Sequence, residues 1–586
     1  MKQINLLKGS RKSTKARALL SLIKTKDKAM FTFHKRTLTK TSVVGIGALL
    51  AVCIAEVDAS KSRKSNGPTN PGQPVAHRLG DIDRGRAVFR FATFGNEGFW
   101  TDAVRLPAGL IDAGVTPFQT LQLGLHIDIE RLDPGTVELL KSELIADPTG
   151  QSSPTLNNPA TTVKLINANA IIGLPAKDSN GDATIDITQG DKVGASCALC
   201  HTITNESVFN MPNGGSIGRR QDGRAPHTLD FGTLVALGAN SRAYYPVLQL
   251  ALDANKGATL GRAPTGLTET STEEEVDAYL TNKDFYPVGM FDDTVDGNGD
   301  PMHNMPLFRQ DLAFSFGSEG AISRLDNFSN LVYTALLDPT TLLTPGGGAF
   351  LRKLGGDAAG TEIADDYAKV LADTGVAGPF PFIRARPPAD PALAGTEGFP
   401  LGVRVNNKKL IDMNAFLFRL QAPCGLREDR QAIARGRELF RTVGCTNCHN
   451  VNQRKFVPTF IVDMKTIFPG DDPVVLLAQR DPPLNPILNT PGNIVDMPVN
   501  IFDDKMAVVN ASLRGLERGT ALPLLLDLAR KPVFLHDNSV ATLDDLLNPN
   551  RGSTTPHPFF LEDAADRSDM VQFLRGLGTG KPQRKH

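Results

Sequence analysis

The chain has 586 residues with 63 Lys+Arg against 63 Asp+Glu, a formal net charge of zero, and 41% hydrophobic against 22% charged residues. That balance is that of a globular protein with room for two or three domains, and it excludes collagen-like, coiled-coil and wholly disordered chains. No apolar run reaches the ~18 residues of a membrane span, and no Lys/Arg-rich face points to nucleic acid.

Basic residues up to Lys40 precede an apolar run, Val43–Ala55, that is too short to cross a bilayer. Val57-Asp58-Ala59 then places small residues where signal peptidase reads them, so residues 1–59 are expected to be a signal peptide. Met30 is an alternative start that leaves a compact signal with Lys35, Arg36 and Lys40. The competing reading is an anchor that is never cleaved; a lipid at Cys53 is disfavoured by Val52 before it. Export would place the protein in the periplasm or outside the cell. Removing residues 1–59, with twelve basic and three acidic side chains, leaves 527 residues and a net charge of −9.

Residues 60–74 (SKSRKSNGPTNPGQP) read as a flexible linker. The expected division is then an N-terminal lobe over 75–377, a Pro/Gly-rich inter-lobe segment over 378–425 and a C-terminal lobe over 426–586. A short repeat supports two lobes. Arg84-Gly85-Arg86-Ala87-Val88-Phe89-Arg90 recurs as Arg435-Gly436-Arg437-Glu438-Leu439-Phe440-Arg441, and each copy reads as the opening helix of a module. Near the end Met570, Phe573, Leu574 and Leu577 share one helical face, with Gly578 just past it. There is no sustained β alternation and no βαβ rhythm, so the chain is expected to be mainly α with long irregular loops.

Cys197-Ala198-Leu199-Cys200-His201 and Cys445-Thr446-Asn447-Cys448-His449 carry the chemistry. Cys-x-x-Cys-His is the attachment pattern of c-type haem: two thiols three positions apart reach the two vinyl groups, and the adjacent histidine ligates the iron. A zinc site and a redox dithiol are the alternatives. Zinc knuckle pairs lie tens of residues apart, and a dithiol needs neither the histidine nor this context. Two covalent haems are therefore expected, with His201 and His449 as proximal ligands, in two cytochrome c-like lobes. Cys445 follows Arg441 by four residues, but Cys197 follows Arg90 by 107, so the N-terminal lobe carries a large insertion.

The sixth ligands decide between catalysis and electron transfer. For the second haem His536 leads, 87 residues after His449, then Met497 and third His557. For the first, His227 follows Arg219, Arg220 and Arg224, which are natural partners for haem propionates. Met302, His303 and Met305 cluster in PMHNMP and are further candidates to face a haem. Catalytic residues stay unknown, with Glu319 a weak candidate for an acid-base group. Trp100, the sole tryptophan, is expected in the core, and Cys424 as a buried thiol.

Calcium is a further candidate cofactor. Asp178, Asn180, Asp182, Thr184 and Asp186 stand at loop positions 1, 3, 5, 7 and 9, although position 6 is Ala183 and position 12 is Gln189. Asp296-Gly297-Asn298-Gly299-Asp300 repeats the first half. An Asp/Asn/Gly turn without metal is the competing reading.

Ser512-Leu513-Arg514-Gly515-Leu516, Phe534-Leu535-His536-Asp537 and Ala541-Thr542-Leu543-Asp544-Asp545-Leu546-Leu547 resemble the C-terminal signature of bacterial di-haem cytochrome c peroxidases and their rubber-oxygenase relatives. The resemblance spans about the last 150 residues well and the first haem region loosely. It implies an N-terminal active haem and a C-terminal electron-transfer haem, often with calcium between the lobes. The chain is longer than a standard di-haem peroxidase, and the peroxidatic residues of that family find no match around Cys197. The expected function is an exported di-haem redox protein that passes electrons between its haems and acts as a peroxidase- or oxygenase-type oxidoreductase at the N-terminal one. The alternative is a pure electron-transfer cytochrome, both haems six-coordinate. Expected partners are a small redox protein or a dehydrogenase, with hydrogen peroxide or dioxygen as substrate.

Overall fold

The computed structural model describes residues from 80 to 578, apart from short stretches that include 254–258, 263–266, 292–301, 317–321, 536–539 and 553–556; within 452–523 it describes little beyond short paired strands. The expected signal peptide and linker therefore lie outside the described residues, as do Cys448, His536, Glu319 and Asp296–Asp300.

The elements that frame the two Cys-x-x-Cys-His motifs are helix α1 (Ile82–Phe91), α2 (Ala198–His201), strands β1 (Thr202–Thr204) and β2 (Arg220–Asp222), and helices α3 (Pro345–Asp373), α4 (Asn407–Leu417), α5 (Arg430–Thr442) and α6 (Ala564–Arg575). Strands are two to four residues long and pair in small sheets, so the described fold is mainly α. Among the described residues no helix is long and apolar enough to cross a membrane.

Two helix pairs repeat one construction. The sequence of α1 buries Gly85, Val88 and Phe89, spaced as one face of a helix, and leaves Arg84 and Arg86 outside. That face packs on α4, where Phe89 meets Phe416 at 5.5 Å between ring centres, Arg84 reaches Asp412 at 3.2 Å, and Arg86 lies over Phe416. The second pair matches it position for position. Phe440 of α5 meets Phe573 of α6 at 5.6 Å, Arg435 grips Asp569 at 2.5 and 2.8 Å, and Arg437 lies over Phe573. Gly85 and Gly436 sit at the crossings, against the backbone carbonyls of Asp412 and Asp569. Neither position has space for a Cβ, so glycine is required for the close approach rather than for its φ. The partner helices share a second repeat, Asp412-Met413-x-x-Phe416-Leu417 and Asp569-Met570-x-x-Phe573-Leu574.

Within residues 378–425, expected to run between two lobes, α4 packs against α1. The insertion between α1 and the first motif packs into the same core as α1 and α4, with Trp100 fully buried between Phe99 and Phe231. Within it His126 is buried, and its Nδ1 accepts from the Ser216 backbone N–H at 3.1 Å. Burial, reinforced by the nearby positive charge of Arg224, pushes the His126 imidazole down to about 3 from its ordinary 6.5.

A histidine lowered in the folded state binds its proton more readily in the unfolded chain. Its stabilising effect is full above about pH 6.5 and is lost as pH falls toward 3. The difference in unfolding free energy between the native protein and His126→Gln should therefore shrink on acidification, by up to about 1.4 kcal/mol per pH unit. Denaturant titrations at pH 7, 6 and 5 read it; a pH-independent difference would mean that His126 titrates alike in the folded and unfolded chain.

Candidate functional site

The first motif is held from both sides. Chain leaving α1 and chain returning from the insertion meet where Asn96 Nδ2 donates to Ala195 O at 2.9 Å and Ala195 N donates back to Asn96 Oδ1 at 3.1 Å. Ser196 Oγ donates to Arg90 O at 2.9 Å, tying the motif to the end of α1 across the long gap. Gly173, at φ +87°, presses its Cα against Leu199. These contacts turn Cys197–His201 into one tight helical turn, with Cys197 Sγ 3.3 Å from the buried Tyr333 hydroxyl and 3.8 Å from Met413 Sδ on α4.

The histidine of this motif is prepared as a ligand. His201 Nδ1 donates to the Met305 carbonyl at 2.8 Å, which fixes the tautomer and leaves Nε2 as the lone-pair nitrogen, the usual outer contact of a metal-bound histidine. Burial pushes its pKa down to about 4, so it stays neutral. The thiols go the other way: burial pushes Cys197 up to about 11 and Cys200 up to about 12. A redox dithiol needs a thiol lowered toward neutrality, and these two are raised. Neither pairs in a disulfide. Among the described residues no group of three or more His, Cys, Asp or Glu is arranged to hold a metal ion, which leaves zinc without a ligand set at Cys197–His201. Two thiols and a neutral imidazole are the donor set that a c-type haem uses.

Met305 was one of three clustered candidates to reach a haem face. Its carbonyl is what matters, on the His201 side, and Met302 and His303 pair with Phe291 and Met290 in a two-stranded sheet. The arginines differ from expectation too. Arg220 is buried on Asp128 and over the Phe91 ring, Arg224 pairs with Asp527 at 3.4 Å, and Arg219 lies exposed 3.9 Å from Glu130. All three are thus already paired with carboxylates of the chain, Arg219 at the longest distance. His227 follows Gly223, whose N–H donates to His201 O at 2.8 Å. It is buried, and burial with the charges of Lys531 and Arg224 pushes it down to about 3.

The second motif follows α5 through Gly444, at φ +90°, and His449 N donates to Cys445 O at 2.8 Å, closing the same kind of turn. The His449 ring stands 6.4 Å from Phe440 and 6.2 Å from His557, centre to centre. Two imidazoles sharing one iron through their ring nitrogens are separated by about 6 Å between centres. His557 reaches this place from a left-handed backbone position, φ +53°, with Phe559 5.3 Å behind it. Spacing along the sequence had put His557 behind His536 and Met497. The loop of His536 lies outside the described residues, closed by the pairing of Phe534 with Val540; the Met497 backbone pairs with Asn500.

In the candidate calcium loop, Asp178 Oδ1 accepts from Gly181 N at 2.6 Å and Oδ2 from Ala183 N at 3.0 Å, Asn180 Oδ1 accepts from Asp182 N, and Asp182 and Asp186 accept from Thr184 and Thr188. Ala183 adopts φ +67°, the conformation that glycine usually supplies at position 6. Hydroxyl and amide donors hold Asp182 and Asp186 below the usual carboxylate range. Cys424 is half-buried and outside any disulfide, its carbonyl accepting from Arg530 Nη2 at 2.9 Å.

Neither a family model nor a curated protein matches the sequence. Among solved structures the chain is similar to hydrazine synthase of Kuenenia stuttgartiensis, pressurized with xenon, at 13% identity over 48% of this chain and 74% of that one, with a TM-score of 0.21.

Proposed function

We propose that this chain is an exported di-haem c-type cytochrome, with one haem held by Cys197, Cys200 and His201 and the other by Cys445, Cys448 and His449. The observation that carries the reading is the pair His449 and His557, whose ring centres stand 6.2 Å apart, close to the span that one iron held between two imidazoles would need. The same motif recurs beside a matching helix pair 248 residues earlier in the chain, which extends the reading to a second haem.

Bound haem would supply one-electron chemistry. The chain's own residues do the rest. Met305 O orients His201, Tyr333 and Met413 enclose Cys197, and Phe440 packs beside His449. On this reading the second site, with an imidazole on each side, is the electron-transfer site. The first, buried under the insertion, is the site at which hydrogen peroxide would be reduced, or dioxygen activated on a bound organic substrate. A cytochrome with both haems six-coordinate is the rival, and a first haem that ignores hydrogen peroxide in both redox states would establish it. The Asp178–Asp186 loop is kept as an Asp/Asn turn: its carboxylates accept from the loop's own amides and hydroxyls, and no such group among the described residues is arranged to hold a metal ion.

Haem content is the test. Purified protein should carry two haems per chain that resist acidic acetone, and the pyridine spectrum should be that of c-type haem. Cys197→Ser with Cys200→Ser, and Cys445→Ser with Cys448→Ser, should each lower the covalent count to one. Two haems that extract freely would overturn the assignment.

A further inference from the structure

The carbonyl that fixes His201 belongs to a stretch with no regular structure of its own. Met305 lies just past the short strand Met302–His303, and no helix or strand runs from Asn304 to Arg309, where the backbone turns through a left-handed φ of +46°. A loop carbonyl stays at 2.8 Å from an imidazole only if something else holds it there. Two ties are present. Leu307 N donates to Gly223 O at 2.9 Å and Gly223 N donates to His201 O at 2.8 Å, so loop and histidine share one anchor. Phe308 is the other tie. It is 3% exposed in a small core with Ala422 and Leu526, flanked by Leu420 and Leu524, and Arg309 N donates to Leu420 O at 2.9 Å.

That core gathers three distant stretches of chain. Leu420 and Ala422 follow α4, whereas Leu524 and Leu526 come from between α5 and α6, beyond the second motif. Beside it Arg224 reaches Asp527 at 3.4 Å, and Arg530 Nη2 donates to Cys424 O at 2.9 Å. A Cβ on Gly223 would meet Leu420 at 2.7 Å and Phe308 at 2.8 Å, so the phenyl ring packs directly on the anchor of His201. Resting on the cytochrome reading above, we propose that Phe308, seated on Leu526, is a positioning residue for His201: it holds the Met305 carbonyl on Nδ1, so that chain from beyond the second motif sets the orientation and basicity of the first proximal ligand. A hydrogen bond at the far nitrogen makes an imidazole a stronger donor, which favours ferric iron; a carbonyl that drifts away favours ferrous iron.

The test is a redox titration of the full-length holoprotein, followed by its visible spectrum, which gives a midpoint for each haem. Cys445→Ser with Cys448→Ser, which keeps the haem at Cys197, assigns the two. Phe308→Ala should shift the first haem about fivefold toward the ferrous form, roughly 40 mV higher at about 59 mV per tenfold for one electron, and leave the second in place. Leu526→Ala should move the same midpoint in the same direction, and it carries the test alone if Phe308→Ala yields no holoprotein. Phe308→Leu, which keeps an apolar side chain on Leu526, should give a midpoint near the native one. Leu140→Ala, in the buried part of the insertion, is the control for lost stability and should move neither. A first midpoint unmoved in both alanine variants, movement of both haems together, or the same shift in Leu140→Ala would overturn the proposal. Haem is counted first on the unmutated protein: fewer than two covalent haems per chain removes the cytochrome reading itself, whereas two haems with unmoved midpoints remove only the role of Phe308.

Discussion

Replacing His557 by alanine should turn one of the two haems from low-spin to high-spin, while the covalent haem count stays at two. The argument is geometric. His449 is fixed by the turn that begins at Cys445, and the only described imidazole at the 6.2 Å span from it is His557. Without it the iron would keep His449 alone on the described side chains of that site, and a single strong axial ligand leaves haem iron open. Electronic and EPR spectra of the oxidised protein read the change directly. His536→Ala is the discriminating comparison, because the leading ligand on sequence spacing was His536. If His536→Ala produces the high-spin haem and His557→Ala does not, then the two rings at 449 and 557 are packing partners and the ligand comes from the loop between Phe534 and Val540.

The contrast between those histidines shows what the sequence could carry. The two Cys-x-x-Cys-His motifs stand out in the sequence because their chemistry is local: two thiols and an imidazole within five residues. The opening helices were legible because a seven-residue repeat survives at 84–90 and 435–441. Their partner helices left an equally clear mark in Asp-Met-x-x-Phe-Leu at 412–417 and 569–574. Only the second copy was read as a helix, and the Pro/Gly-rich passage before the first hid it. Looking for an Asp to pair with each repeated Arg would have found both. His557 was harder. It lies in Thr555-Pro556-His557-Pro558, where prolines mask any periodicity, and it reaches His449 through a left-handed backbone that sequence does not announce. Met305 was beyond reach altogether, since a backbone carbonyl that fixes a histidine leaves no residue preference behind.

Gly436→Ala and Gly85→Ala should each cost about 3 kcal/mol of stability, the upper range for overpacking a tight interface. At both positions an added methyl would fall well inside contact distance of a backbone carbonyl, Asp569 in one module and Asp412 in the other, and at Gly436 it would also lie 2.8 Å from Phe573 Cβ. A carbonyl on a helix cannot swing aside as a side chain can, so the helices must part. Parting them strains the Arg435–Asp569 or Arg84–Asp412 pair and the ring contact next to it. Gly135→Ala is the control: the site is exposed near the start of a helix, with only Asp133 Oδ1 at 3.1 Å, and the change should be worth roughly 1 kcal/mol or less. Denaturant unfolding ranks the three. The two damaged modules should also fail separately, Gly436→Ala disturbing the spectrum of the haem at His449 and Gly85→Ala that of the haem at His201. Such independence follows if each helix pair clamps its own attachment turn, α1 through Ser196 and Arg90, α5 through the short link to Cys445. A single transition that takes both haems together would show instead that the lobes are one cooperative unit, joined where Arg224 meets Asp527.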